Sequence, residues 1–360
     1  MTYLRYSPNI ETLEADEQET IDGIVKGMTG VTETVEKREH HAVRASHAKS
    51  SALLTGKLTV DPALPPELAQ GMFSTARTFD VAVRFAQGPG ETLGDRVSTH
   101  RGMSIKVFGV EGEKLPAHLS DTQDFVFATG KTFPSGTAKG FLRDAKQIGA
   151  ATPLPEGFKS AVSSTMRNFN RVLHMLGTES PKADFFGHPF GHPLADAYFS
   201  QAPLRFGEYV AKLGAFPASS EQAALTDWRL DPNQDENGFR SAAVDFCANS
   251  TTVYEMRAQL WNDADKQPIE DASVVWPEDV SPYIRIATLT ILPQNAYSIE
   301  RQHFFDEQIT FKPAHALAAH RPLGSVMRAR LQVYQALSKF RQSENGITEV
   351  MPTAVTDIPS

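Results

Sequence analysis

Between residues 79 and 85 the chain alternates without a break: Phe79, Val81, Val83 and Phe85 point to one side of an extended strand, and Asp80, Ala82 and Arg84 to the other. A strand with one apolar face is buried on that face only, which favours an antiparallel sheet packed against a core or rolled onto itself. Similar runs occupy 52–60, 103–108 and 123–128, and strands resume at 251–261 and 284–292. Gly-Pro-Gly at 88–90 and the stretch from Gly109 to Gly112 mark turns. Residues 135–178, bounded by Pro134, Pro153 and Pro155, read as helices, and Gly-His-Pro-Phe-Gly-His-Pro within 180–195 reads as a loop. Two strand clusters separated by helices predict an α+β body around one antiparallel barrel.

The flanks differ from this body. Residues 11–37 are acidic, and Ile21, Ile24, Val25 and Met28 are spaced for a helix that Gly27 and Gly30 are expected to interrupt. The expected division is an N-terminal arm over 1–37, a body over 38–345 and a polar tail over 346–360. The arm is expected to pack on the body or on a partner, with a homodimer as one outcome. A net charge of −8 argues against a general nucleic-acid binder. The single cysteine, Cys247, rules out an internal disulfide and cysteine-rich metal sites and reads as a small buried hydrophobe. No apolar run reaches the ~20 residues of a membrane span. The N-terminus has no apolar signal core, so a cytoplasmic location is the expectation.

A final helix is predicted over about 323–343, opened by Pro322. On it Tyr334 follows Arg330 by four residues and precedes Arg341 by seven, so all three share one face. A cation beside a phenol stabilises the phenolate. This makes Tyr334 a candidate anionic metal ligand, with haem iron as the metal in view. An ordinary amphipathic helix would show the same spacing. Earlier in the chain, His40, His41 and His47 crowd eight residues. Neighbouring histidines converge poorly on one ion, and no cysteine or carboxylate follows at a ligand spacing. His188 and His192 could line a substrate entrance but equally sit in a plain surface loop. Tyr254 and Trp261 fit core positions.

Four stretches taken together change the reading. Arg44-x-x-His47-Ala48-Lys49, Val83-Arg84-Phe85, Arg101-Gly102-Met103-Ser104-Ile105-Lys106-Val107-Phe108 and Arg330-x-x-x-Tyr334 follow one another in an order and spacing that resembles the haem catalase superfamily. The resemblance covers roughly residues 38–345 and is similar in extent to the small catalase-related peroxidase group, with the coral allene oxide synthase as a relative. It implies an eight-stranded antiparallel barrel with surrounding helices and a C-terminal helix carrying the proximal tyrosine. It also implies haem b as cofactor, with Tyr334 as the iron ligand and Arg330 holding it as phenolate. Arg44, Arg84 and Arg341 match arginines near the haem propionates, a role that suits the guanidinium fork. His47 would be the distal acid and base, and Phe125 and Phe133 match aromatic positions of the distal pocket, although ordinary core explains them as well.

The sequence departs from catalases in three places. Ser46 stands where catalases carry a valine, and the coral relative has a hydroxyl residue there. No asparagine occurs near Leu119-Ser120-Asp121-Thr122, and an ungapped count back from Phe133 gives Ser120 that place. Ala86 replaces the serine that holds the distal histidine. The chain also stops soon after the tyrosine. The expected activity is therefore cleavage of hydrogen peroxide or organic hydroperoxides with a reductant. Fatty acid hydroperoxide conversion, weak catalase activity and haem sensing without catalysis are the alternatives. The sequence gives no indication of the reductant.

Overall fold

The computed structural model describes residues 2–116, 118–176 and 180–360. Nine strands build the core: β1 (Ser50–Val60), β2 (Thr78–Gln87), β3 (Arg101–Phe108), β4 (Thr122–Ala128), β5 (Tyr198–Phe199), β6 (Leu204–Phe206), β7 (Tyr209–Pro217), β8 (Thr252–Leu260) and β9 (Tyr283–Ile291). β1 to β4 form consecutive antiparallel pairs, and β9 returns to β1 with Lys57 opposite Thr290. The short β5 closes the ring, pairing Phe199 with Ala128 of β4 and Tyr198 with Ala215 of β7. β6 extends the same position along β7, so the barrel has eight positions and no free edge.

The alternation seen in the sequence sorts the two faces. Val81, Val83, Phe85, Ile105, Val107, Phe125 and Phe127 fill the interior with Tyr254, Met256 and Leu289. Their neighbours point outward. In register, Arg84, Ser104 and Val126 lie abreast across β2, β3 and β4, and Ala86, Gly102 and Ala128 form the next row. This outer wall is the floor of the site.

Among the described residues eight α-helices surround the barrel: α1 (Glu17–Glu39), α2 (Ala138–Ala151), α3 (Glu156–Met175), α4 (Pro181–Phe186), α5 (Ser220–Ala223), α6 (Gly238–Asn249), α7 (Ile299–Gln302) and α8 (Ser325–Asn345). α1 runs through Gly27 and Gly30 without the expected interruption. Its glycines serve packing instead: a Cβ on Gly23 would sit 3.0 Å from Leu142, and one on Gly27 would sit 3.7 Å from Ala145. Ile21, Ile24 and Met28 of α1 thereby meet Ala145 of α2 and Ala329 and Val333 of α8 in one apolar cluster. α7 leads into a π-helical turn, His303–Gln308. Residues 346–360, expected as a polar tail, pack back on this turn: Val350 N donates to Gln308 O at 2.9 Å, and Ile358 is buried beside Phe304 and Phe305.

Candidate active site

A cavity of about 470 Å³ lies between the outer wall of β2 to β4 and helices α2, α3 and α8. Among its lining residues are Arg44, Ser46, His47, Arg84, Phe133, Arg330, Tyr334 and Arg341. The helical spacing of α8 brings Arg330 Nη2 to donate to Tyr334 Oη at 2.9 Å, while its Nη1 lies 3.2 Å from Met327 Sδ. Arg341 shares the helix face but does not pair with the phenol. It turns instead to the π-helical turn, donating to Asp306 O at 2.7 Å and to a Glu307 carboxylate oxygen at 3.2 Å. Tyr334 is thus held by one guanidinium, not two.

Arg44 and Arg84 come to the same place. Arg84 Nε donates to Asp306 Oδ1 at 2.8 Å, and Arg44 Nη1 reaches the same oxygen at 3.3 Å. The widened turn directs its carbonyls inward, so Arg44 also bonds Phe305 O at 2.8 Å and Ile309 O at 3.1 Å. Ser50 Oγ donates to Asp306 Oδ2 at 2.7 Å. Three buried guanidiniums need counter-charge. Asp306 and Glu307 carry part of that load within the chain, which leaves three guanidiniums against two carboxylates. The charged form of Arg44 is disfavoured first by burial and then by Arg84 and Arg341, with Asp306 and Glu307 opposing. The excess of positive charge faces the cavity.

On the far side, His47 sits in the left-handed region, φ 56°, a strained setting for a residue with a side chain. Its backbone is clamped: His47 N donates to Gly88 O at 2.9 Å and Arg84 Nη2 donates to His47 O at 2.8 Å. Its ring packs on Gly102, where a Cβ would fall 2.7 Å from Nδ1, and Nδ1 is buried without a partner. Burial pushes the His47 imidazole well below its ordinary pKa, and His100, Arg84 and Arg330 push the same way, with the Gln87 backbone opposing. At neutral pH it is a neutral base. Ser46 Oγ donates to Gly88 O at 3.2 Å, so its hydroxyl is already engaged.

His100 belongs to this wall and was not singled out from the sequence. Its ring lies edge-on to His47 with centroids 5.0 Å apart and stacks on Phe185 at 3.9 Å. A Cβ on Gly88 would collide with it. Burial lowers its pKa to about 4. The only signal was its place immediately before Arg101. Asp306 was also missed, because its partners are 222 and 262 residues away in sequence.

Two expected residues are elsewhere. Phe125 is inside the barrel, paired with Ile105 and with its ring 6.2 Å from that of Phe73. The pleat that turns Phe125 inward gives the cavity Val126 instead. Phe133 does line the cavity, 5.9 Å from the Arg330 guanidinium. Ser120 precedes the end of β4 where Thr122 pairs with Phe108, whereas His47 lies by the other end, where Ala128 pairs with Gly102. Six residues of strand, about 20 Å, separate those ends. Ala128 is therefore the β4 residue beside His47, and no asparagine accompanies it.

The loop of His188 and His192 is structural. His188 bridges Asp184 at 2.8 Å and Asp196 at 3.3 Å, and Arg101 pairs with Asp196 at 2.6 Å. His192 caps a short turn through Leu194 N at 3.2 Å. This ion network anchors the segment that presents Phe185 and Phe186 to the cavity.

The closed eight-stranded barrel and the helix at its C-terminal end define a known architecture, and solved structures match it. The fold is that of a catalase. Catalase A from Saccharomyces cerevisiae superposes with a TM-score of 0.55 at 15% identity, covering 95% of this chain and 67% of that one. A fungal catalase gives 0.55 at 15% identity, covering 98% and 70%, and a bacterial catalase gives 0.56 at 15%, covering 93% and 64%. The chain spans about two thirds of the length of these catalases. No family model and no curated protein matches the sequence.

The residues present fit a haem. The cavity is of cofactor size and mostly apolar. A phenol oxygen that accepts from Arg330 and a neutral imidazole both line it, and the arginine cluster offers donors to carboxylates. Among the described residues Arg84 Nη1 and Arg341 Nη2 have no protein acceptor and are free to make such bonds.

Proposed function

We propose that the protein is a haem-dependent enzyme that cleaves the O–O bond of hydrogen peroxide or organic hydroperoxides. The observation that carries this is one cavity holding Tyr334 with Arg330 and a neutral, buried His47. Tyr334 would ligate the iron, and Arg44, Arg84 and Arg341 would hold the propionates. The cofactor, when bound, would supply the electrons for O–O cleavage. The protein's own part is proton transfer and exclusion of water. His47 takes the proton from one peroxide oxygen and returns it to the other, so that water or alcohol leaves instead of an oxide. Val126, Phe133 and Phe185 keep bulk water from that exchange. Arg330 keeps the ligand oxygen an acceptor towards the metal side.

Completing the cycle needs a reductant, which stays unidentified. Conversion of a fatty acid hydroperoxide without a reductant is the second reading, favoured by the apolar wall of Ile148, Leu154, Phe158 and Val162. The absorption spectrum of the purified protein is the test. A Soret band that shifts within seconds of adding peroxide supports the proposal. A band that does not respond leaves a haem-binding protein without this chemistry, and no band after haem is supplied removes the reading altogether. Turnover of hydrogen peroxide and of an organic hydroperoxide, each with and without an electron donor, then separates peroxidase, catalase and isomerase activity.

A further inference from the structure

Twelve large apolar side chains stand strongly exposed among the described residues, and six of them fall between Leu154 and Leu176. Phe158 is 55% exposed, Phe169 52%, Val172 53% and Leu176 74%. These are not scattered. Phe158, Val162, Thr165, Phe169, Val172 and Leu176 follow at alternating steps of four and three, which puts them on one face of α3. The turn persists past the helix end, since Leu176 N bonds Val172 O at 3.2 Å. A contiguous apolar face of this kind marks a surface that something covers.

Two further observations say what covers it. Leu154, Phe158 and Val162 also line the active-site cavity, so its mouth opens onto this face. The surrounding layer is basic: residues 138–186 hold seven Lys and Arg against four Asp and Glu in a chain of net charge −8, and two of the seven, Lys139 and Lys159, pair with Glu14, Asp16 and Glu91 outside the segment. Arg143, Lys146, Arg171 and Lys182 are exposed there. In a two-fold contact between copies these cations would face one another. Anionic headgroups would neutralise them.

We propose that α3 and its basic flanks dock the protein on an anionic lipid bilayer. The helix lies in the interface with its apolar face sunk about 5–10 Å, as amphipathic interfacial helices do. The cavity mouth then opens toward the acyl chains. Resting on the reading above, the organic substrates are hydroperoxides carried on lipid acyl chains.

The test uses the full chain and two kinds of vesicle: phosphatidylcholine alone, and phosphatidylcholine with phosphatidylglycerol. Cosedimentation with the anionic vesicles, weakened by added salt, is the expected result. The double variant Phe169→Asp, Val172→Asp should bind them roughly a hundredfold more weakly, since each large apolar side chain buried contributes about tenfold or more. Hydrogen peroxide turnover should survive in that variant, because neither residue lines the cavity. Absent binding, equal binding to both vesicles or equal binding by the variant overturns the docking. So does a wild-type dimer that the variant splits without any vesicle binding, which would make this face a contact between copies. Docking is scored without peroxide, so a failed haem reading leaves its result standing. If docking holds but peroxidised phosphatidylcholine in vesicles turns over no faster with the wild type than with the variant, the substrate assignment fails alone.

Discussion

Asp306 is the residue whose removal most directly tests the electrostatic account of the site. It accepts from Arg84 Nε at 2.8 Å, Arg44 Nη1 at 3.3 Å and Ser50 Oγ at 2.7 Å. Burial raises its pKa, but Arg84 and Arg44 outweigh that and hold it below the usual carboxylate value. Asp306→Ala leaves two guanidiniums without their shared carboxylate, and breaking a buried pair in this way costs about 3–5 kcal/mol. Unfolding entropy near 2.1 cal/mol/K per residue, summed over the chain, converts this to a fall in Tm of about 4–7 °C. The assay is thermal unfolding of the cofactor-free protein at neutral pH.

The pH dependence has a definite sign. A carboxylate with a depressed folded pKa stabilises above its unfolded value of about 3.9 and loses that contribution as pH falls through the folded value. The deficit of the variant is therefore full at pH 7 and shrinks in acid. Phosphate should raise the Tm of the variant more than that of the wild type, because the exposed cations gain an anion. A Tm within about 1 °C of wild type at pH 7 would refute the claim that Asp306 neutralises the cluster.

Other expectations are narrower. Tyr334→Phe should fold but fail to give the wild-type Soret spectrum with added haem, whereas His47→Ala should keep the spectrum and cleave peroxide about 10²–10⁴ times more slowly; an unchanged rate would remove His47 as the base. Gly102→Ala puts a methyl 2.7 Å from His47 Nδ1 and 2.8 Å from Cε1, so the ring must move. Cleavage should fall by about a hundredfold while haem binding persists, and a wild-type rate would show that the ring is not held where it acts. His188 is pressed down by burial but carried up to about 9 by Asp184 and Asp196. With an unfolded value near 6.5, its contribution, on the order of 3 kcal/mol, is complete below pH 6.5 and lost as pH rises through 9. Denaturant unfolding of His188→Gln should show that slope removed, and an unaltered slope would clear His188 of the role.

Much of the barrel could be read from alternation because the inward face of each strand is apolar while the outward face is mixed, as Asp80, Ala82 and Arg84 show on β2, even where helices bury it. The readable strands, such as β2 with Phe79, Val81, Val83 and Phe85, are long enough to show a period of two. β5 and β6 are two and three residues long and show no period, so the closure of the ring by Tyr198 and Phe199 was invisible. On α8 the spacing of Arg330 and Tyr334 was sufficient, since a four-residue step on a helix is a contact. The same logic misled for Arg341: a shared face leaves a long side chain free to choose another partner, and Asp306 lay out of sight. Phe125 was misplaced because a shift of one residue exchanges the inner and outer faces of a strand, and Ser120 because an ungapped count along the chain put it at the far end of β4 from His47.

Register also joins two departures that look separate in the sequence. In the sequence Ala86 on β2 and the want of an asparagine near β4 read as two separate features. In the barrel Ala86, Gly102 and Ala128 stand abreast, and His47 rests on the middle one. They make one feature, a wall without a polar side chain beneath the imidazole. Its consequence is an Nδ1 of His47 with no side-chain partner: Gly102 and His100 position the ring by contact. Ser46 does not restore the missing polarity, because its hydroxyl is given to Gly88 O. On the proposed reading, a peroxide in this cavity would meet His47 with His100 beside it, over a wall to which Ala86, Gly102 and Ala128 give no hydroxyl or amide. That arrangement suits a single proton handed between two oxygens of an apolar hydroperoxide better than chemistry requiring a second polar group to orient a small, water-like substrate.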